Sequence, residues 1–210
     1  MVKTLKLSLG AVLVVAGMSG APAHATFFTS EAAFDAANPG LPVIDFNGLC
    51  LSGTCPVSSF PGGTFPGVTI GGPDAVIANG ADIGAPTDFL ADPTKGGFLT
   101  FTFAPNVNAV GFNLSAGFNG GNLLVTVFDA SNMVLDSEII ATAALNSFTT
   151  FAGFSGLGNI DMLRVSAEAN NELFANVDNL AFGSSAVPEP ASLALLGLGL
   201  AGLGFSRRRA

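Results

Sequence analysis

The residues best suited to chemistry in this chain are carboxylates. Asp74, Asp82, Asp88 and Asp92 fall within a Gly/Pro-rich stretch from Gly71 to Gly97, together with Asn79 and many backbone carbonyls. Hard oxygen donors at that density suit a structural Ca2+. A second candidate is Asp178, in Leu173-Phe-Ala-Asn-Val-Asp-Asn-Leu-Ala-Phe182, where strand parity puts it on the same face as Phe174, Leu180 and Phe182. A carboxylate aimed at an apolar face must be neutralised, hydrogen-bonded or metal-bound, and Asp45 or Glu31 is its expected partner around an ion. Neither group matches an EF-hand or a nonapeptide repeat. Two other readings stand beside these: a strand-end bulge that re-aims Asp178, and loop aspartates that serve turns.

Other chemistries fail on residue inventory. His24 is the single histidine and the chain has no tyrosine, so the body lacks a base for a nucleophilic triad. The Gly-rich segment Ser115-Ala-Gly-Phe-Asn-Gly-Gly121 lacks the Gly-Lys-Ser/Thr ending of a phosphate-binding loop. Asp136 and Glu138 would lie on one strand face about 6.6 Å apart, a spacing compatible with glycosidic cleavage and equally with a solvated hairpin edge. No tryptophan or tyrosine offers a sugar-stacking platform, and Thr100 and Thr102 form no extended threonine ladder for ice.

Each end of the chain has its own pattern. Lys3 and Lys6 precede an apolar stretch from Leu7 to Met18 and then Ala23-His24-Ala25. This is the layout of a secretory signal peptide, residues 1–25, with Ala23 and Ala25 framing the cleavage site. At the other end stand Pro188-Glu189-Pro190, an uncharged apolar run from Ala191, and Arg207, Arg208 and Arg209. Residues 191–206 predict a short transmembrane helix, since the sixteen residues rise about 24 Å against a hydrocarbon core of about 30 Å. The arginines favour a cytoplasmic carboxyl terminus and place the body across the membrane.

Val187-Pro-Glu-Pro-Ala-Ser192, the Leu/Gly-rich segment and the three arginines together resemble the PEP-CTERM sorting domain of Gram-negative bacteria, a tail also called the ice-binding protein carboxyl-terminal domain. The resemblance covers residues 187–209 of a sorting segment that spans 187–210. It implies that an exosortase-type membrane protease recognises Pro188, Glu189 and Pro190 and cuts near them. Prolines also stiffen this segment into an extended strip without amide donors, a form that suits a protease groove.

Between the ends, residues 26–186 are long enough for one domain with its own core. Of the fifteen acids only Glu189 lies outside this body, whose bases are Lys95 and Arg164 alone. Nucleic acid is excluded as a partner, because phosphate binding requires Lys and Arg. Cys50 and Cys55 flank a Leu-Ser-Gly-Thr insert that turns readily, which predicts a local disulfide in an exported protein.

Ser30 predicts the N-cap of a helix over 30–37. After Pro39-Gly40, strand-like runs follow at 42–46, 65–70, 98–103, 107–114, 122–128, 147–154, 159–166 and 173–182. Leu99, Phe101 and Phe103 alternate with Thr100 and Thr102, and Val110, Phe112 and Leu114 with Gly111 and Asn113, as in half-buried antiparallel strands. The expected fold is all-β, an antiparallel two-sheet sandwich of jelly-roll type, with 71–97 as an irregular connection. The order Glu31-Ala-Ala-Phe34, Asp45-Phe46, Val110-Gly-Phe112, Val127-Phe-Asp129 and Val177-Asp-Asn-Leu-Ala-Phe182 resembles the jelly-roll ectodomains joined to PEP-CTERM tails.

These features predict a non-catalytic, exosortase-processed protein of the cell surface or of an exopolysaccharide (biofilm) matrix. The alternative is a carbohydrate- or Ca2+-binding module of the same secreted class. Signal peptidase and the exosortase-type protease are the transient partners, and extracellular polysaccharide the lasting one. The expected route is export through the inner membrane, transient anchoring by the tail, then the cell surface, outer membrane or extracellular matrix.

Overall fold

A computed structural model describes residues 25–57, 64–117, 120–143, 148–167 and 174–185. The signal segment, including Ala23, and the tail with Pro188, Glu189, Pro190, the 191–206 run and Arg207 to Arg209 lie outside the described residues.

In chain order the elements are β1 (Thr26–Phe28), α1 (Glu31–Ala37), β2 (Val43–Ile44), β3 (Thr54–Pro56), β4 (Thr64–Phe65), β5 (Val68–Gly71), β6 (Val76–Ala78), α2 (Gly80–Ile83), β7 (Phe89–Asp92), β8 (Phe98–Phe103), β9 (Ala109–Ala116), β10 (Gly121–Phe128), β11 (Val134–Thr142), β12 (Thr150–Ser155), β13 (Met162–Ala167) and β14 (Ala175–Gly183). They form two antiparallel sheets. One runs β1-β12-β9-β14-β7-β6-β3, with β2 also paired to β14; the other runs β11-β10-β13-β8-β5-β4. From β8 to β14 the chain passes repeatedly between the sheets, which makes the sandwich jelly-roll-like.

In the second sheet β8, β10 and β13 fall where the sequence predicts strands, whereas β11 lies outside the predicted runs and the run 65–70 is split into β4 and β5. Leu99, Phe101 and Phe103 are buried while Thr100 and Thr102 face outward. On that outer face Thr100 pairs with Arg164 and Arg164 with Thr126, and the Arg164 guanidinium lies 3.9 Å from the Phe98 ring centre. The inner face joins Val110, Phe112, Leu114 and Phe154 of the first sheet in one core. That burial is the main stabilising contribution.

The first sheet departs from the half-buried expectation, because β9 is buried along its whole length, Gly111 and Asn113 included. Its outer face is covered. Ser30 caps α1 by accepting the Ala33 N–H, and the helix lays Phe34, fully buried, over Gly111 and Gly153, which pair directly across β9 and β12. A β-carbon at either glycine would come within 2.7 Å of the Phe34 ring. Farther along this face, Phe89, Ala91 and Ala78 pack with Ala85 and Phe148.

The stretch 71–97 is also more ordered than an irregular connection. It supplies β6, α2 and β7, and Ile77 and Leu90 enter the core. Runs of three and four residues leave too short an alternation to separate from the turns around them.

Candidate functional site

Asp178 is buried, but by a different route from simple parity. It pairs with Asn113 across β9, whereas Ala181 pairs with Gly111, so β14 carries one extra residue between them. Asn179 takes the left-handed conformation at φ 50° and completes this bulge. The shift leaves Asp178 on the outer face of the first sheet, opposite in sense to Phe182, which pairs with Val110 over the core. The covering segment still seals it, at 1% exposure. Its Oδ2 accepts the Thr87 hydroxyl at 2.6 Å and its Oδ1 the Asn179 N–H at 2.8 Å.

Burial pushes the Asp178 carboxyl above its ordinary range; these two hydrogen bonds pull it back, and the carboxylates of Asp45 and Asp88 push it up again. The predicted partner Asp45 therefore acts on Asp178 through its field. Glu31 stands elsewhere, exposed in the first turn of α1.

The four loop aspartates do not converge. Asp88 accepts the Gly48 and Gly80 N–H groups at 2.8 and 2.9 Å, and Asp82 accepts the Gly53 N–H. Asn79 donates to the Cys50 carbonyl at 2.8 Å. These groups clamp the loop closed by the Cys50–Cys55 disulfide onto α2 and its flanks. Asp74 and Asp92 sit apart, both tied to Thr94: its hydroxyl donates to Asp74 Oδ2, and its N–H to Asp92 Oδ1 at 2.8 Å. Among the described residues no three His, Cys, Asp or Glu side chains gather as a metal cluster.

Asp74 and Thr94 line an open cleft of about 680 Å3 together with Val57, Ile70, Gly72 and Pro93. Asp136 and Glu138 share the inward face of edge strand β11, opposite Val127 and Val125. Inward-pointing acids at a sheet edge discourage pairing with a further strand. Ala25, at the predicted signal cleavage site, is exposed immediately before β1. Thr87, Thr94 and Asn113 escaped the sequence reading because their roles depend on partners brought close by the fold; Asn113 Oδ1 is buried without a hydrogen-bond partner.

Residues 186–209 match the family described as the PEP-CTERM protein-sorting motif. The motif implies export, carboxyl-terminal membrane anchoring and recognition by an exosortase. Among the described residues no helix is long and apolar enough to cross a membrane. No curated protein matches the chain.

Several solved structures are loosely similar in fold. An isomalto-dextranase of Arthrobacter globiformis T6, complexed with panose, is 13% identical with a TM-score of 0.37; the alignment covers 75% of this chain and 34% of that one. A family 29 carbohydrate-binding module from Piromyces equi is 11% identical with a TM-score of 0.39, covering 81% and 98%. The adhesin domain of Lys-gingipain from Porphyromonas gingivalis W83 is 11% identical with a TM-score of 0.30, covering 78% and 99%. The chain spans about a third of the dextranase's length.

Proposed function

We propose that this chain, which carries a PEP-CTERM sorting motif behind a jelly-roll-like body, is a structural or adhesive component of an extracellular polymer layer. The observation that carries the reading is the adjacency of motif and fold: β14 ends at Gly183 and the motif begins at residue 186. A cut near Pro188-Glu189-Pro190 would release the body with a stub of a few residues after β14. The body, 26–186, then acts through its surface, which is acidic and unsuited to nucleic acid.

The test is made in the native host. Deletion of the gene should weaken biofilm cohesion, and the wild-type chain should restore it. A Pro188→Ala/Pro190→Ala chain that is retained in the membrane should not. Undiminished cohesion in the deletion strain rules the matrix role out.

A second reading is favoured by the open cleft beside Asp74 and Thr94, whose wall of Pro56, Ile70 and Pro93 could receive a polysaccharide chain. A glycan array probed with and without chelator decides it. Binding to no glycan in either condition removes this reading and leaves the matrix role standing.

A further inference from the structure

We propose that Asp92 and Asp74 hold a divalent cation, Ca2+ in preference to Mg2+, at the end of the sandwich where β5, β7 and β8 meet. This does not depend on the sorting reading, since these residues belong to the body itself. Asp92 is the last residue of β7 and follows Leu90 on the inward face of the first sheet, with 0% exposure. One carboxylate oxygen, Oδ1, accepts the Thr94 N–H. The other, Oδ2, is buried without a hydrogen-bond partner. A buried carboxylate oxygen left unpaired is costly, so it calls for a neutralising partner.

The surroundings indicate which partner fits. Two glycines let the second sheet's backbone approach this carboxylate: a β-carbon at Gly97 would collide with it, and one at Gly72 would stand 3.5 Å from Oδ2 and 2.7 Å from the Phe98 carbonyl oxygen. The space over Gly72 is bounded by these two acceptors and by the Ala75 β-carbon at 3.2 Å. Gly72 also lines the cleft that holds Asp74 and Thr94, which puts a second carboxylate on the solvent side of this glycine while Asp92 itself stays sealed beneath it. Thr94 ties the two acids together through its N–H and its hydroxyl.

Asp92 Oδ2, the Asp74 carboxylate and the Phe98 carbonyl are all hard oxygen donors, with solvent available for the remaining positions. Such a mixed, carbonyl-containing set suits Ca2+, which accepts six to eight oxygens in loose geometry, better than Mg2+, which demands a near-ideal octahedron. With no imidazole or thiolate in the set, zinc is disfavoured. A bound ion would join the end of β7 in one sheet to the β5 and β8 ends in the other.

The full chain, solubilised in detergent and freed of metal with a chelator, is titrated with CaCl2 by calorimetry while thermal unfolding is followed by circular dichroism. The expected result is one ion per chain and an unfolding midpoint that rises with Ca2+, up to about 10 mM, a range covering the weak sites of extracellular modules. Asp92→Asn should abolish the response. Asp74→Asn, at an exposed position, should keep the fold and weaken binding at least about tenfold, so it decides the matter if the Asp92 variant does not fold. Absence of heat and of any midpoint shift overturns the proposal, as does an undiminished response in the Asp74 variant. An equal response to Mg2+ overturns the choice of Ca2+.

Discussion

The Thr87 hydroxyl donates to Asp178 Oδ2 at 2.6 Å, across 91 positions of sequence, and ties the segment covering the first sheet to its central strand β14. With Asp178 at 1% exposure, the hydrogen bond contributes chiefly by preventing an unpaired acceptor. Thr87→Val keeps the shape and removes the donor. It should cost about 1–3 kcal/mol at neutral pH, read by denaturant unfolding. A loss well below that range would mean that Asp178 finds water instead.

The same carboxyl sets a pH dependence. Its ordinary value is 3.8 and burial raises it in the folded state, so the folded protein holds this proton more tightly than the unfolded chain does. The associated stability is fully present below about pH 4 and is lost as pH rises through the raised folded value. Asp178→Asn cannot lose that proton. The stability difference, variant minus wild type, should therefore grow with pH over that interval. At neutral pH the variant should be no less stable than wild type, because an amide could also donate toward the unpartnered Oδ1 of Asn113, its cross-strand neighbour.

Asp178 also shows where sequence reading succeeds and where it stops. Alternation in Phe98–Phe103 and the Ser30 cap are local patterns and were legible, as was the linear order of sorting tripeptide, apolar run and arginines. Counting faces along β14 fails past Asn179, because one left-handed residue adds a step that parity cannot register. Asp92 and Asp74 stand out in the sequence only as carboxylates. Their link through Thr94 is a product of the fold.

The pair Gly111 and Gly153 forms the notch that receives Phe34. Gly153→Ala would put a β-carbon 2.6 Å from that ring, and the ring is fully enclosed, so overpacking should cost about 1–3 kcal/mol. Phe34→Ala alone should cost about 3–5 kcal/mol. The double variant should fall short of the sum, because removing the ring removes the closer collision and leaves only that with Phe151 at 2.9 Å. Strict additivity in an unfolding double-mutant cycle would show that α1 does not depend on the notch.

The Cys50–Cys55 bridge closes a short loop, separation 5, so its removal should cost about 2 kcal/mol and leave the sandwich folded. Asp82 holds the same loop through the Gly53 N–H. Replacing both cysteines by serine and Asp82 by alanine should then cost less than the separate losses together, since a loop already freed has less order left to lose. Global unfolding on reduction would instead make the bridge a condition of the fold.

The sorting tail offers a test in which stiffness and greasiness can be separated. Pro188→Ala/Pro190→Ala keeps Glu189, the apolar run and the arginines, and restores two backbone N–H groups together with freedom in φ. If a pre-extended strip is what the protease groove receives, this variant should remain membrane-bound at the mass expected after signal cleavage alone, with Ala210 intact. Replacing the three arginines by glutamate attacks the other requirement, because the stop that keeps the carboxyl terminus in the cytoplasm is lost while the cutting site is unchanged. Mass spectrometry of membrane and released fractions distinguishes the two. Normal release of the double-proline variant would show that the backbone rigidity of this tripeptide is dispensable and that recognition rests on Glu189 or on the span itself.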